Sequence, residues 1–138
     1  MANTSLFLYT PAGWSPSKGA PLPTSPNNSF VTAWADKRSA ITCGLSVLFY
    51  GGTPTGTLTV EVSNAPDNPG GSPGYPANKG DDALLLAGSS QTVTASAGPF
   101  QWQLASLPAR WIRVRFASSQ TTAGLTANVY LNAPHESP

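Results

Sequence analysis

Few residues in the chain combine a reactive side chain with a partner at a useful spacing. The only histidine, His135, lies near the C-terminus in a polar segment, where we expect it to be solvated rather than held as a general base. The only cysteine, Cys43, lies on the inward side of a predicted strand. Core packing is its favoured interpretation, because no activating cation accompanies it. A single cysteine also excludes a disulfide framework and a cysteine-based metal site.

The carboxylates are the remaining candidates for catalysis or metal binding, and they are Asp36, Glu61, Asp67, Asp81, Asp82 and Glu136. Glu61 on a strand face could pair with Asp81 or Asp82 in a loop, as a glycosidase requires, but no spacing selects such a pair. The positions of Asp67, Asp81 and Asp82 do not match a calcium-binding loop. We therefore expect solvated carboxylates in a protein that is not an enzyme and that has no metal and no cofactor.

Aromatic and cationic residues alternate along one later segment, where Trp111, Arg113 and Arg115 share a strand face. Arginine stacks on aromatic rings and clamps carboxylates, so this face could be an exposed contact with a sugar or a subunit. The favoured alternative is a solvated face on which arginine stems cover the tryptophan. Tyr75, in the long loop 64–82, is a further candidate for glycan or partner contact. Trp102 is expected in the core.

The first 28 residues are predicted to form an extended arm, because proline recurs there at Pro11, Pro16, Pro21, Pro23 and Pro26. Proline at this spacing disfavours helices and strand ladders. The arm also carries large apolar side chains, which are Leu6, Phe7, Leu8, Tyr9 and Trp14. Such groups can fold back on their own domain or dock on a neighbouring subunit. Docking on a subunit or on a capsid is the favoured alternative, because proline lowers the entropy lost on binding.

Composition narrows the classes of protein further. The 138 residues suffice for one domain, and with 7 Lys and Arg against 6 Asp and Glu the formal net charge is +1. This charge is too small for a nucleic-acid binder. The 13 glycines and 14 prolines exclude a helical bundle. No apolar run reaches transmembrane length, and the N-terminus lacks the basic region of a signal peptide.

Alternating apolar residues predict about eight short strands, which is typical of a β-sandwich or barrel. Segment 51–56, rich in glycine, is predicted to be a hairpin loop between two of them. The strands are predicted at Phe30–Trp34, Ile41–Tyr50, Gly56–Ser63, Leu84–Leu86, Thr92–Ala95, Phe100–Leu104, Arg110–Phe116 and Gly124–Leu131.

Four of these segments resemble a known pattern. Gly56–Asn64 reads Gly-Thr-Leu-Thr-Val-Glu-Val-Ser-Asn, Phe100–Trp102 reads Phe-Gln-Trp, Ala109–Phe116 reads Ala-Arg-Trp-Ile-Arg-Val-Arg-Phe, and Gly124–Leu131 closes the order. This order resembles small virion structural proteins of tailed bacteriophages, of the capsid decoration (cement) type. The Ala109–Phe116 piece is also similar to a strand of discoidin-like (galactose-binding-like) jelly-roll modules, which bind sugars or lipids through loops.

The sequence and the resemblance together define a set of expectations. We expect an all-β chain: a jelly-roll-like antiparallel β-sandwich at 29–132, preceded by a Pro-rich arm at 1–28 and followed by a polar tail at 133–138. The resemblance implies a virion protein, made in the host cytoplasm, whose partners are the phage major capsid protein and sister copies in a homotrimer. The alternative is a tail, baseplate or head-fibre module that binds a host glycan. Neither a nucleic acid nor a membrane is expected as a partner.

Overall fold

The computed structural model describes residues 28–32, 34–37, 42–65, 84–120 and 124–132, together with the backbone of 2–7, 20–21 and 133–135. All of its regular elements are strands. They are β1 (Ala2–Phe7), β2 (Ala20–Pro21), β3 (Phe30–Val31), β4 (Ala35–Asp36), β5 (Cys43–Tyr50), β6 (Thr55–Ser63), β7 (Leu84–Leu85), β8 (Gln91–Thr94), β9 (Phe100–Leu104), β10 (Trp111–Ser118) and β11 (Thr126–His135).

The strands form two antiparallel sheets. In the first sheet the order is β1-β11-β5-β9, and β2 also pairs with β11. In the second sheet the order is β3-β10-β6-β7, while β4 pairs with β10 and β8 pairs with β6. The prediction of an all-β, antiparallel sandwich is confirmed.

Consecutive strands change sheet several times, as in other multiply connected sandwiches. The chain passes from β5 in the first sheet to β6 in the second, and it changes sheet again from β8 to β9, from β9 to β10 and from β10 to β11. The predicted hairpin at 51–56 is therefore wrong, because this segment is an arch between the sheets. The strands that flank it do not pair with each other: β5 pairs with β11 and β9, and β6 pairs with β10.

Of the predicted strand Phe30–Trp34, only Phe30–Val31 is strand, and a bulge separates it from β4 at Ala35–Asp36. Val31 pairs with Arg115, and Ala35 pairs with Ile112. Three residues separate Val31 from Ala35, whereas only two separate Ile112 from Arg115 on β10, and this extra residue defines the bulge. Thr32 lies at the bulge, where its amide donates to the Val114 carbonyl at 3.0 Å. The Thr32 hydroxyl accepts from the Val114 amide at 3.1 Å, so Thr32 bonds to both the carbonyl and the amide of Val114.

The core lies between the sheets and consists of the apolar residues that alternate along each long strand. Phe116 stands near its centre, with ring centroids 5.1 Å from Phe49 and 5.8 Å from Phe30. Trp102 is buried as expected, and its indole nitrogen donates to the Ser89 carbonyl at 2.7 Å. The inward residues of the central strands are Leu45, Val47, Phe49, Leu58, Val60, Ile112, Val114, Phe116, Val129 and Leu131.

Parts of both termini join the first sheet. The backbone of Ala2–Phe7, which precedes the first proline, pairs along β11 from His135 to Tyr130. The strand β11 therefore continues beyond Leu131, where the sequence predicted its end. Pro21 pairs with Thr126 through β2. The other prolines of the predicted arm lie outside the described residues.

Gly56 occupies a position that only glycine fits. It pairs with Ser118 of β10, and a Cβ atom built on it would overlap the Ala117 carbonyl oxygen and approach Phe116 Cε1 to 2.9 Å. A Cβ on Gly44 of β5 would make only ordinary contacts, at 3.6 Å or more. The two glycines therefore form a matched pair for substitution.

We expect the Gly56→Ala substitution to lower the free energy of unfolding by about 2 kcal/mol, because backbone and core must shift to admit the methyl group. Gly44→Ala is the control, and it should change stability by less than about 0.5 kcal/mol. Urea denaturation of the three proteins measures both changes. Equal stability of the two variants would show that Gly56 is not closely packed.

Candidate functional site

A buried cluster of charge lies on the outer face of the second sheet. Arg113 pairs in register with Glu61 of the neighbouring strand, and its Nε donates to Glu61 Oε1 at 2.7 Å. Arg115, two residues further along the same face, donates from Nε to Glu61 Oε2 at 3.0 Å and from Nη2 to Oε1 at 3.2 Å. One carboxylate therefore serves two guanidinium groups, and we call these three residues the arginine cluster.

Trp34 helps to bury the arginine cluster, and Trp111 is buried beside it on the same strand face. The Arg113 guanidinium carbon lies 4.3 Å from the ring centroid of Trp34, within the range of a cation–π contact. Trp111 is also buried, and its indole nitrogen donates to the Ala65 carbonyl at 3.0 Å. Trp34, just before β4, and Ala65, just after β6, thus lie over this face.

The structure revises the expected exposure of this face. Both alternatives weighed from the sequence placed Trp111 and Arg113 at the surface, but the Arg113 side chain is only 2% exposed and Trp111 is buried. Arg115 alone is partly exposed, at 28% of its side chain. Alternation along β10 gave the correct faces, but it did not show that other segments cover the outer one. Tyr75 lies outside the described residues.

A second ion pair contrasts with the buried one. Arg110 donates from Nε and Nη2 to the two carboxylate oxygens of Asp36, at 3.1 and 2.9 Å. Its side chain is 45% exposed, so water screens this pair. The two pairs therefore provide a matched comparison of buried and exposed contacts in the same sheet.

Cys43 and Lys37 lie near one another at the end of the sandwich where β5 begins. The Cys43 thiol is buried, and burial raises its pKa above the ordinary value of 9.0, although the Lys37 charge acts in the opposite sense. Burial likewise lowers the pKa of Lys37. The Lys37 ammonium donates to the Leu107 carbonyl. Core packing of Cys43, favoured from the sequence, agrees with this burial.

A cleft opens over the same end of the first sheet, with a volume of about 370 Å³. We call it the Gly44 cleft. None of its described lining residues carries a formal charge, although Cys43 is ionisable. The lining consists of Thr42, Cys43, Gly44, Gln103, Leu104, Ala105 and Asn132. No sequence pattern pointed to this site, because its residues meet only through the register of three strands.

An apolar surface lies at the edge of the second sheet. Leu84 and Leu85 form β7, and they are 57% and 62% exposed. Within the described residues β7 pairs with β6 alone. Successive strand residues point to opposite sides, so the two leucines present apolar surface on both sides of this edge.

The predicted arm contacts are only partly visible. Leu6 and Phe7 belong to β1, whose backbone pairs with Leu131 and Tyr130 of β11. Leu8, Tyr9 and Trp14 lie outside the described residues. The docking of these side chains on a capsid or a subunit stays a prediction.

Within the described part of the chain, no group of three or more His, Cys, Asp or Glu side chains is arranged to hold a metal ion. In that part no helix is long and apolar enough to span a membrane. Comparison with models of known families, with characterised proteins and with solved structures found no match.

We expect Cys43 to react slowly with a thiol reagent in the folded protein. At pH 8 its labelling should be at least about tenfold slower than in denaturing urea, because burial hinders access and disfavours the thiolate. The rate should rise with pH and continue to rise beyond 9.0, because the raised pKa keeps much of the thiol protonated there. Equally fast labelling of folded and unfolded chains would contradict the burial of this thiol.

Proposed function

We propose that the chain is a non-enzymatic structural protein of a tailed-phage virion, and specifically a capsid decoration protein that binds the head surface. The observation that carries this proposal is the exposed leucine pair Leu84–Leu85 on an edge strand. Proteins rarely leave an apolar strand edge open to water, since it attracts other chains. The order of segments from Gly56 to Leu131 supports the same class through its resemblance to small virion proteins.

The proposed contact is apolar and hydrogen-bonded rather than ionic. Each leucine that becomes buried against a partner contributes roughly 1.5–3 kcal/mol before the costs of association. Among the described strands, none pairs with the side of β7 that faces away from β6, so this side can add hydrogen bonds to an extended segment of the partner. With a net charge of only +1, the chain has little electrostatic attraction to contribute.

The proposed partners are the phage major capsid protein and sister copies of the chain. A homotrimer agrees with the resemblance, and the arm residues Leu6, Phe7, Leu8, Tyr9 and Trp14 would add contacts between copies or with the head. Many copies of the chain around a symmetric particle then bind with higher avidity, although each copy makes no new contact. Sedimentation of the purified protein tests the trimer.

The alternative is a tail, baseplate or head-fibre module that holds a host glycan. The burial of Trp111 and Arg113 gives no support to a glycan site on that face. The observation that favours the alternative lies elsewhere, in the uncharged, amide-lined Gly44 cleft.

We expect binding to particles assembled without the protein to vary less than about threefold between about 0.05 and 0.5 M NaCl. The double variant Leu84→Ser, Leu85→Ser should bind at least about tenfold more weakly, because the apolar contact is lost. Binding is measured by co-sedimentation with the particles.

The control is the double variant Thr92→Ser, Thr94→Ser on the adjacent edge strand β8, where both threonines are exposed. It should bind as the wild type does. A steep salt dependence, or unchanged binding of the leucine variant, would refute the apolar mechanism.

A further inference from the structure

We propose that the Gly44 cleft is a binding site for a neutral saccharide unit, whose hydroxyl groups bond to the side chains of Gln103, Asn132 and Thr42. This site is separate from the leucine edge and from the arginine cluster. The inference does not depend on capsid binding, because a decoration protein and a tail module can each carry such a site.

The register of three strands creates the cleft. Asn132 of β11 pairs with Gly44 of β5, and Gly44 pairs with Gln103 of β9, so the three residues form one row across the sheet. All three lie on the face turned away from the core, and the two amide side chains are exposed. Because glycine has no side chain, a notch remains at Gly44 between Gln103 and Asn132, whose backbones are two strand spacings, or about 10 Å, apart.

The position of the Gln103 amide shows how the notch is bounded. A Cβ atom added at Gly44 would lie 3.6 Å from Gln103 Nε2 and 3.9 Å from its Oε1. The Gln103 amide therefore borders the empty position at van der Waals distance. A methyl group fits there without overlap, whereas a branched side chain would occupy the notch.

The chemistry of the lining selects a hydroxyl-rich, uncharged ligand. An amide offers both a donor and an acceptor, and the Thr42 hydroxyl does the same, which suits the adjacent hydroxyl groups of a sugar ring. Ala105, which is exposed, supplies apolar surface for the C–H groups of the ring. The volume of about 370 Å³ lies within the usual range of small-ligand sites, about 300–1,000 Å³.

Charge argues against an anionic ligand at this site. The described lining holds no arginine, lysine or carboxylate. Lys37, near Cys43, is buried, and its ammonium bonds to the Leu107 carbonyl. A sugar acid or a phosphate would lose its water in the cleft without gaining a cation there.

The experiment is an NMR titration of the full chain with glucose, galactose, mannose and N-acetylglucosamine, with glucuronate as the anionic probe. At least one neutral sugar should cause saturable shifts at the Gly44 backbone amide and the side-chain amides of Gln103 and Asn132. We expect a Kd of about 1–10 mM, as suits a single small ligand without a charged contact. Glucuronate should bind more weakly than the best neutral sugar.

Two variants and a control locate the site. Gly44→Val fills the notch, and the double variant Gln103→Ala, Asn132→Ala removes both amides; each should weaken binding at least about tenfold. Gln101→Ala alters the same face of β9 one row away and should leave the Kd unchanged. If Gly44→Val fails to fold, which its amide spectrum reveals, the double variant decides.

Three results would overturn the proposal. They are the absence of saturable shifts with every neutral sugar at about 50 mM, tighter binding of glucuronate than of any neutral sugar, and unchanged affinity in the double amide variant. None of these results bears on binding to phage heads.

Discussion

The ion pair between Arg113 and Glu61 is the interaction on which the second sheet depends. The strand β10 is buried on both faces: Ile112, Val114 and Phe116 face the core, whereas Arg113 lies under Trp34 on the other side. A guanidinium in such a place must be compensated, because an isolated charge away from water costs several kcal/mol. Glu61 supplies that compensation from the neighbouring strand and thereby ties β6 to β10 in one register.

Both proposed contact surfaces lie away from β10, at the periphery of the sandwich. The leucine edge of β7 lies beside β6 on the far side from β10, and the Gly44 cleft lies on the outer face of the other sheet. The first is apolar and the second is uncharged and lined by amides, so they fit different classes of partner. A chain with few charges can use its strongest ion pairs for the fold and its neutral surfaces for binding.

Alternation in the sequence predicted the long strands β5, β6, β10 and β11 and their inward residues, and β9 was placed at Phe100–Leu104 as observed. It could not show which strands are central, so the burial of Arg113 and Trp111 was missed. The Arg113–Glu61 pair joins residues 52 positions apart, and the Gly44 notch exists only through a register across three strands. The predicted hairpin at 51–56 failed for a related reason, since a glycine-rich turn does not reveal whether its strands pair.

A double-mutant cycle on Glu61→Gln and Arg113→Met, followed by urea denaturation, tests the central role of this pair most directly. We predict a coupling free energy of at least about 2 kcal/mol, because Glu61→Gln leaves the buried Arg113 charge without its carboxylate, while Arg113→Met leaves Glu61 with Arg115 alone. The same cycle on the exposed pair Asp36–Arg110 should give less than about 1 kcal/mol. Equal coupling in the two cycles would contradict the central role of the Arg113–Glu61 pair, because the pair would then contribute no more than an exposed one.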